Sequence, residues 1–306
     1  MIQYSVVVPV YNGETTVNSL FEEIKCFFEK FYYTYEVVFV YDCGKDNSWI
    51  KLKELKSKYP DTVKLIKLSR NFGQHNALIC GFEQAKGDFI ITMDEDLQHS
   101  PEDIILMINK QNESNSDVIY GKYEELNHSI FRNFSSTILK NIIRIGIPEI
   151  HPDYTAFRLI KASVAKSTVE MRNSYTFLDG YLSWITTDVQ SCVVTHHERQ
   201  GGKSSYTYNK LINHTINIFV TFSDLPIRFL SSFSILLLIG MCFFATYIVI
   251  RKWIFNDLAM GYPSLILAIG FGVGLIMLAL GIIGEYIYRI NLKTTKRPNY
   301  KVVEIL

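Results

Sequence analysis

Two uncharged apolar runs near the C-terminal end constrain this chain more than any other feature. Residues 229–250 (FLSSFSILLLIGMCFFATYIVI) and 263–283 (PSLILAIGFGVGLIMLALGII) contain no charge. A helix rises ~1.5 Å per residue, so about 20 such residues cross ~30 Å of hydrocarbon. The alternative, a pair of buried core helices, ordinarily leaves a polar face over this length. Gly270, Gly272, Gly274, Gly281 and Gly284 in or beside the second run suit close helix approach within a membrane. Residues 251–262 join the runs, so the sequence predicts a two-helix transmembrane hairpin. Arg228, Arg289, Lys293, Lys296 and Arg297 flank it outside, against Arg251 and Lys252 in the linker, with Asp257 opposing. The positive-inside bias then puts the N-terminal mass and the tail, 291–306, on the cytoplasmic side of the membrane.

The rest of the chain reads as a cytosolic domain, residues 1–228. Lys and Arg number 31 and Asp and Glu 30, a balance that excludes a bulk nucleic-acid binder. Apolar residues make up 48%, which excludes global disorder. The first apolar run, Val6–Val10, is too short for a secretory leader. Cys26, Cys43, Cys80, Cys192 and Cys242 are scattered and odd in number, with no metal spacing or disulfide framework, as suits a reducing cytosol.

Short β-rich runs alternate with helical ones. Tyr4–Val10, Tyr35–Val40, Val63–Leu68, Phe89–Met93 and Asp117–Tyr120 read as strands. Glu14–Phe31, Ser48–Lys58 and His75–Gln84 read as helices, with Asp46 capping the second; Ser100-Pro101 opens a fourth, Ser as cap. This alternation predicts an α/β, doubly wound, mostly parallel sheet, with ligands outside the carboxyl ends of its strands. The G-x-G-x-x-G of a dinucleotide fold and the Walker A loop are both missing.

Asp94 and Asp96, one residue apart after an apolar strand, are the strongest chemical signal. Such a pair can share Mg²⁺ or Mn²⁺ with a diphosphate, Gln98 adding a carbonyl oxygen. The plainer reading is a solvated acidic loop before the next helix.

VVVPVYNGE, YDCGKDNSW, LSRNFGQHNAL, GDFIITMDEDLQHSPE, AFRLI and RQGGKSSY occur in that order ahead of the two apolar runs. The chain thereby resembles family-2 glycosyltransferases acting on polyprenyl phosphates, of the dolichyl-phosphate mannose synthase and bactoprenol glucosyltransferase types. The resemblance implies a GT-A fold, an inverting mechanism, a nucleotide-sugar donor (UDP by preference), a polyprenyl-phosphate acceptor such as undecaprenyl phosphate, and a homo-oligomer. It implies that Pro9, Tyr11 and Glu14 line the nucleotide pocket and that Asp42 holds the base. Asp94, Asp96 and Gln98 would hold the metal and donor diphosphate, and Arg70 would help shape the donor site. Arg158, Arg199 and Lys203 would face phosphates, with Ser204 beside them. The chain departs from the family at Tyr41-Asp42-Cys43-Gly44, where D-D-G-S is frequent, and at Gly13 and Ala156.

The chemistry suits these residues. A lipid phosphate is already anionic and attacks without the general base that a hydroxyl acceptor needs. It needs cations to hold it, the part given to Arg199 and Lys203, and a Lewis acid on the departing diphosphate. A processive polysaccharide synthase would show Q-x-x-R-W, whereas Gln200 precedes Gly201-Gly202-Lys203. Residues 129–145 carry an apolar stripe (Ile130, Phe134, Ile138, Ile142) opposite Arg132, Lys140 and Arg144, the pattern of a membrane-interface helix, and 207–223 is a weaker second case. A core helix or oligomer contact is the alternative for both. The seven histidines show no metal-ligand spacing. The expectation is a membrane-anchored glycosyltransferase of cell-envelope glycan synthesis such as O-antigen modification; the competing readings are a glycosyltransferase acting on a different membrane-bound acceptor and a non-catalytic membrane scaffold with a transferase fold.

Overall fold

The computed structural model describes residues 2–123, 147–171, 175–195, 262–294 and 298–306, together with single positions between 216 and 254. Its sheet is built from β1 (Tyr4–Val10), β2 (Tyr35–Tyr41), β3 (Val63–Leu68), β4 (Phe89–Thr92), β5 (Val118–Tyr123), β6 (Arg158–Lys161), β7 (Val189–Val194) and β8 (Val302–Ile305). The strand order is β7-β5-β6-β4-β1-β2-β3-β8. The β3-β2-β1-β4 centre is parallel, as the sequence predicts. All seven residues of β1 are buried, which explains its continuous apolar run. Pro9 fits in this central strand because β4 stops short of it. Met93 N–H donates to Val7 O, and Pro9 points its missing donor to that same side, two residues past the last bond.

Helices cover both faces. α1 (Val17–Phe31) and α2 (Ser48–Lys58) pack with α4 (Ile104–Ser114) on the face of Val6, Val8 and Val10. α3 (Gln74–Gln84), α5 (Ala162–Ser167) and α6 (Leu178–Ile185) cover Val7, Val38 and Val40. Successive side chains of a strand serve opposite cores. In α1 the buried set is Val17, Leu20, Phe21, Ile24, Phe27 and Phe28, the i, i+3, i+4 spacing seen in the sequence. The cap position of α2 falls on Asn47, which makes no side-chain cap bond, and Asp46, one residue earlier than a capping residue stands, accepts the Ser48 N–H at 3.2 Å. Ser100 makes no side-chain cap bond; residues 101–103 form a 3₁₀ turn before α4.

Three strands were not anticipated. β6 inserts antiparallel between β4 and β5, and β7 lies parallel beside β5. β8, from the segment read as a separate tail, pairs antiparallel with β3 at the sheet edge.

The second apolar run lies in a 33-residue helix, α7 (Tyr262–Thr294). Phe271–Asn291 is long and apolar enough to cross a membrane, with mean hydropathy 1.8 and none of it buried. Its polar end meets residues just before the first run: Arg289 donates to Thr221 Oγ1 (2.9 Å) and Asn217 Oδ1 (3.3 Å), and Tyr286 Oη to Ser223 O. The described positions between 229 and 254 are helical. The 129–145 stripe lies outside the described residues, and of 207–223 only positions from 216 onward are described.

Candidate active site

The carboxyl ends of β1, β2 and β4 open into a cleft of about 270 Å³ lined by Pro9, Val10, Tyr11, Asp42, Asn71, Gly73, Gln74, Asp94, Glu95 and Asp96. This is where an open parallel sheet leaves room for a ligand. Five of the residues expected at a site, Pro9, Tyr11, Asp42, Asp94 and Asp96, meet there. The chain turns sharply as it leaves each strand: Asn12, Cys43 and Leu97 adopt φ of 60°, 57° and 61°. For a leucine that conformation is costly, and Leu97 is held in it by burial in the core. The turn lets Gln98 N–H donate to Asp96 Oδ1 at 3.2 Å, fixing the second carboxylate.

Asp94 is held from two sides. Gln74, at the start of α3, donates to its Oδ1 at 2.5 Å. His99 accepts the Asp94 N–H on Nδ1 at 3.3 Å, its ring stacked between Phe157 and Tyr123. Glu95 accepts the Tyr11 N–H at 3.4 Å. Burial, then the charges of Asp94 and Asp96, push the Glu95 carboxyl up to about 7. The wall thus concentrates acidic oxygens that a divalent cation would relieve. Among the described residues no three His, Cys, Asp or Glu side chains converge on one point as a closed metal cage. Two carboxylates on an open wall instead suit Mg²⁺ or Mn²⁺, which draw further ligands from water and substrate phosphates.

Asp42 is buried, and its oxygens accept the N–H groups of Phe72 (2.7 Å) and Gly73 (2.8 Å). Burial raises its pKa against the pull of these two bonds. It therefore clamps the loop 69–73 over the cleft, which brings in Asn71 and Gly73. Glu14 stands outside the lining. Its carboxylate accepts Asn47 N–H and Nδ2 at 3.1 Å each, tying the loop after β1 to the start of α2. The loops after β1 and β2 touch closely: Asn12 Oδ1 accepts the Lys45 N–H at 2.7 Å, and a Cβ on Gly44 would meet Asn12 N at 2.8 Å. Arg70 is exposed, its guanidinium 4.7 Å from the Phe72 ring centre.

Arg158 corrects the expectation that it faces a phosphate. It is 2% exposed on β6. Nε and Nη2 make a bidentate pair with Asp179 at 2.8 and 2.7 Å, and Nη1 donates to Ala156 O and Thr92 Oγ1. Tyr120 Oη also donates to Asp179, at 2.9 Å. Burial disfavours the Arg158 cation, but Asp179 outweighs that and raises its pKa. Arg199, Lys203 and Ser204 lie outside the described residues. Sequence reasoning missed Asn71, Gln74, Glu95, His99 and Asp179. The first two sit in or beside the S-R-N-F-G block and Glu95 between the two aspartates, whereas nothing in the sequence singles out Asp179.

Residues 5–167 match the glycosyl transferase family 2. The chain belongs to this family. It is similar along 99% of its length to an undecaprenyl-phosphate 4-deoxy-4-formamido-L-arabinose transferase of Edwardsiella ictaluri, with 30% identity and 94% of that protein covered. It is 29% identical to the prophage bactoprenol glucosyl transferase homolog of Escherichia coli K12, with 99% of both chains covered. The fold is shared with glucosyl-3-phosphoglycerate synthase from Mycobacterium tuberculosis, solved with Mn²⁺ and UDP-glucose (TM-score 0.54, 12% identity, 72% of this chain and 77% of that one). It is also shared with a mannosyltransferase from Pyrobaculum calidifontis solved with GDP-mannose and Mn²⁺ (TM-score 0.53, 13% identity, 71% and 63%). The protein is therefore an enzyme of the glycosyltransferase class with a GT-A-like fold.

Proposed function

We propose that this glycosyltransferase moves a hexose, with inversion, from a nucleotide-diphosphate sugar to undecaprenyl or a similar polyprenyl phosphate at the cytoplasmic face of the membrane. The observation that carries the reading is the cleft whose lining brings Asp94 and Asp96 together with Asn71 and Gly73 of the loop that Asp42 clamps. The relatives named for undecaprenyl phosphate and bactoprenol, matched end to end, support the acceptor.

In this reading Pro9, Tyr11 and Asn71 border the nucleoside, and Asp42 sets the loop that closes over it. Asp94 and Asp96, with Gln98, hold Mg²⁺ or Mn²⁺. When bound, the ion supplies Lewis-acid relief of charge on the departing diphosphate. The lipid phosphate oxygen attacks the anomeric carbon, and the bond to the nucleotide diphosphate breaks with its electron pair on the leaving oxygen. No proton is abstracted, so the acceptor side calls for cations, the role given to Arg199 and Lys203.

The topology supports a membrane hairpin. Phe222 packs on α6 in the catalytic domain, and β8 returns to the same sheet. If α7 crosses the bilayer, the chain between them crosses an even number of times, which asks the 229–250 run to be the other crossing. The test is to incubate membranes holding the protein with a panel of radiolabelled nucleotide sugars and polyprenyl phosphate. A lipid-linked sugar from one donor is expected. Its absence across the panel favours the scaffold reading.

A further inference from the structure

We infer that the C-terminal strand β8 is a positioning element for the donor wall of the cleft, linking the end of the apolar helix α7 to the loop 69–73. The inference rests on reading the cleft as the nucleotide-sugar site. Without β8 the sheet would end at β3. Leu65 and Leu306 exchange both backbone hydrogen bonds at 2.9 Å, locking the far end of the pair. The register then shifts between Lys67 and Leu68, which face Glu304 and Val302, leaving Val303 as the extra residue of a bulge. That extra residue carries Lys301 O to Ser69 N–H, at 2.9 Å, beyond the last residue of β3. Ser69 opens the loop whose Asn71 and Gly73 line the cleft and whose Phe72 and Gly73 amides bind Asp42. The loop is thus pinned at its start by β8 and at its end by Asp42.

Two further bonds anchor the strap. Tyr300 Oη donates to Glu83 on α3 at 3.1 Å, the helix whose first residue, Gln74, holds Asp94. Asn299 Nδ2 donates to Met171 O at 3.1 Å. α7 ends at Thr294, so few residues separate the apolar helix from this anchorage. An edge cover that only hides β3 would need neither the bulge nor the bond to Ser69.

The experiment removes residues 301–306 and measures donor kinetics in membranes, with a synthetic peptide of that sequence added back. The donor KM should rise roughly tenfold, the scale of a lost backbone anchor, with kcat little changed. The peptide should restore it. An unchanged KM in the folded truncated enzyme overturns the inference. Should truncation prevent folding, hydrogen exchange of the full chain decides. UDP or GDP with Mn²⁺ should slow exchange in 65–73 and in 301–306 together, and unaltered exchange in 301–306 overturns it. A full-length protein that binds neither nucleotide overturns the reading of the cleft itself, and the positioning role falls with it.

Discussion

Asp179 shows what single side chains contribute here. Its carboxylate is almost fully buried and meets Arg158 through two bonds and Tyr120 through a third. Removing Arg158 strands that charge. We expect Arg158→Ala to cost about 3–5 kcal/mol, while the paired change Arg158→Met with Asp179→Leu costs much less. Thermal unfolding in detergent checks both, and equal losses would contradict the account. The arginine was legible as important but not as internal, because its partner lies 21 residues away in a helix whose sequence gives no sign of it. His151 makes a pH prediction. Burial lowers its pKa, with Lys122 adding to the effect and Asp153 opposing it. The unfolded chain then takes up the proton first, so stability is lost as pH falls below the ordinary histidine value of about 6.5 toward the lowered folded value. Glu95, pushed up to about 7, takes up its proton in the folded state over the same range and acts in the opposite sense, so the comparison isolates the histidine: wild type should lose melting temperature relative to His151→Asn as pH falls from about 7 to 5.5. Asp117 and Asp153, whose pKa values are lowered, act separately in the carboxylate range. An identical slope in the variant would assign the effect elsewhere.

At the scale of elements, what the sequence revealed depended on periodicity. β1 to β4 and α1 to α3 follow from apolar runs at spacings of two and 3.6, and their boundaries agree with the structure to within three residues at each end. β6 escaped because a four-residue strand that begins with Arg158 and ends with Lys161 looks polar until Asp179 and Asp117 neutralise them. β8 escaped because only the edge of β3 gives it meaning. Likewise Asp94 and Asp96 were legible from their place at a strand end, whereas Gln74 and His99, which hold Asp94, come from folding together. The loops after β1 and β2 offer a test at this scale. A methyl group on Gly44 would press on Asn12 N at 2.8 Å and on its Oδ1 at 2.9 Å. Gly44→Ala should therefore spread the two loops, raise donor KM several-fold and cost about 1–3 kcal/mol. Unchanged kinetics and stability would show that the contact gives way freely.

For the whole molecule, the chain leaves the catalytic domain, enters an apolar helix and returns to close the sheet that it began. The apolar helix α7 and the sheet that forms the cleft are thus joined through β8, which in the proposed reading suits a soluble donor and a lipid acceptor meeting at a single site. The proposed chemistry depends on the donor diphosphate being held through a cation at Asp94 and Asp96. Calorimetric titration of UDP and GDP tests that most directly, comparing wild type with Mn²⁺, wild type with EDTA, and Asp96→Ala with Mn²⁺. Tight binding of one nucleotide is expected only in the first case, with affinity at least roughly a hundredfold weaker in the other two, about 2.7 kcal/mol, and the variant still folded. Equal affinity in all three would contradict the account.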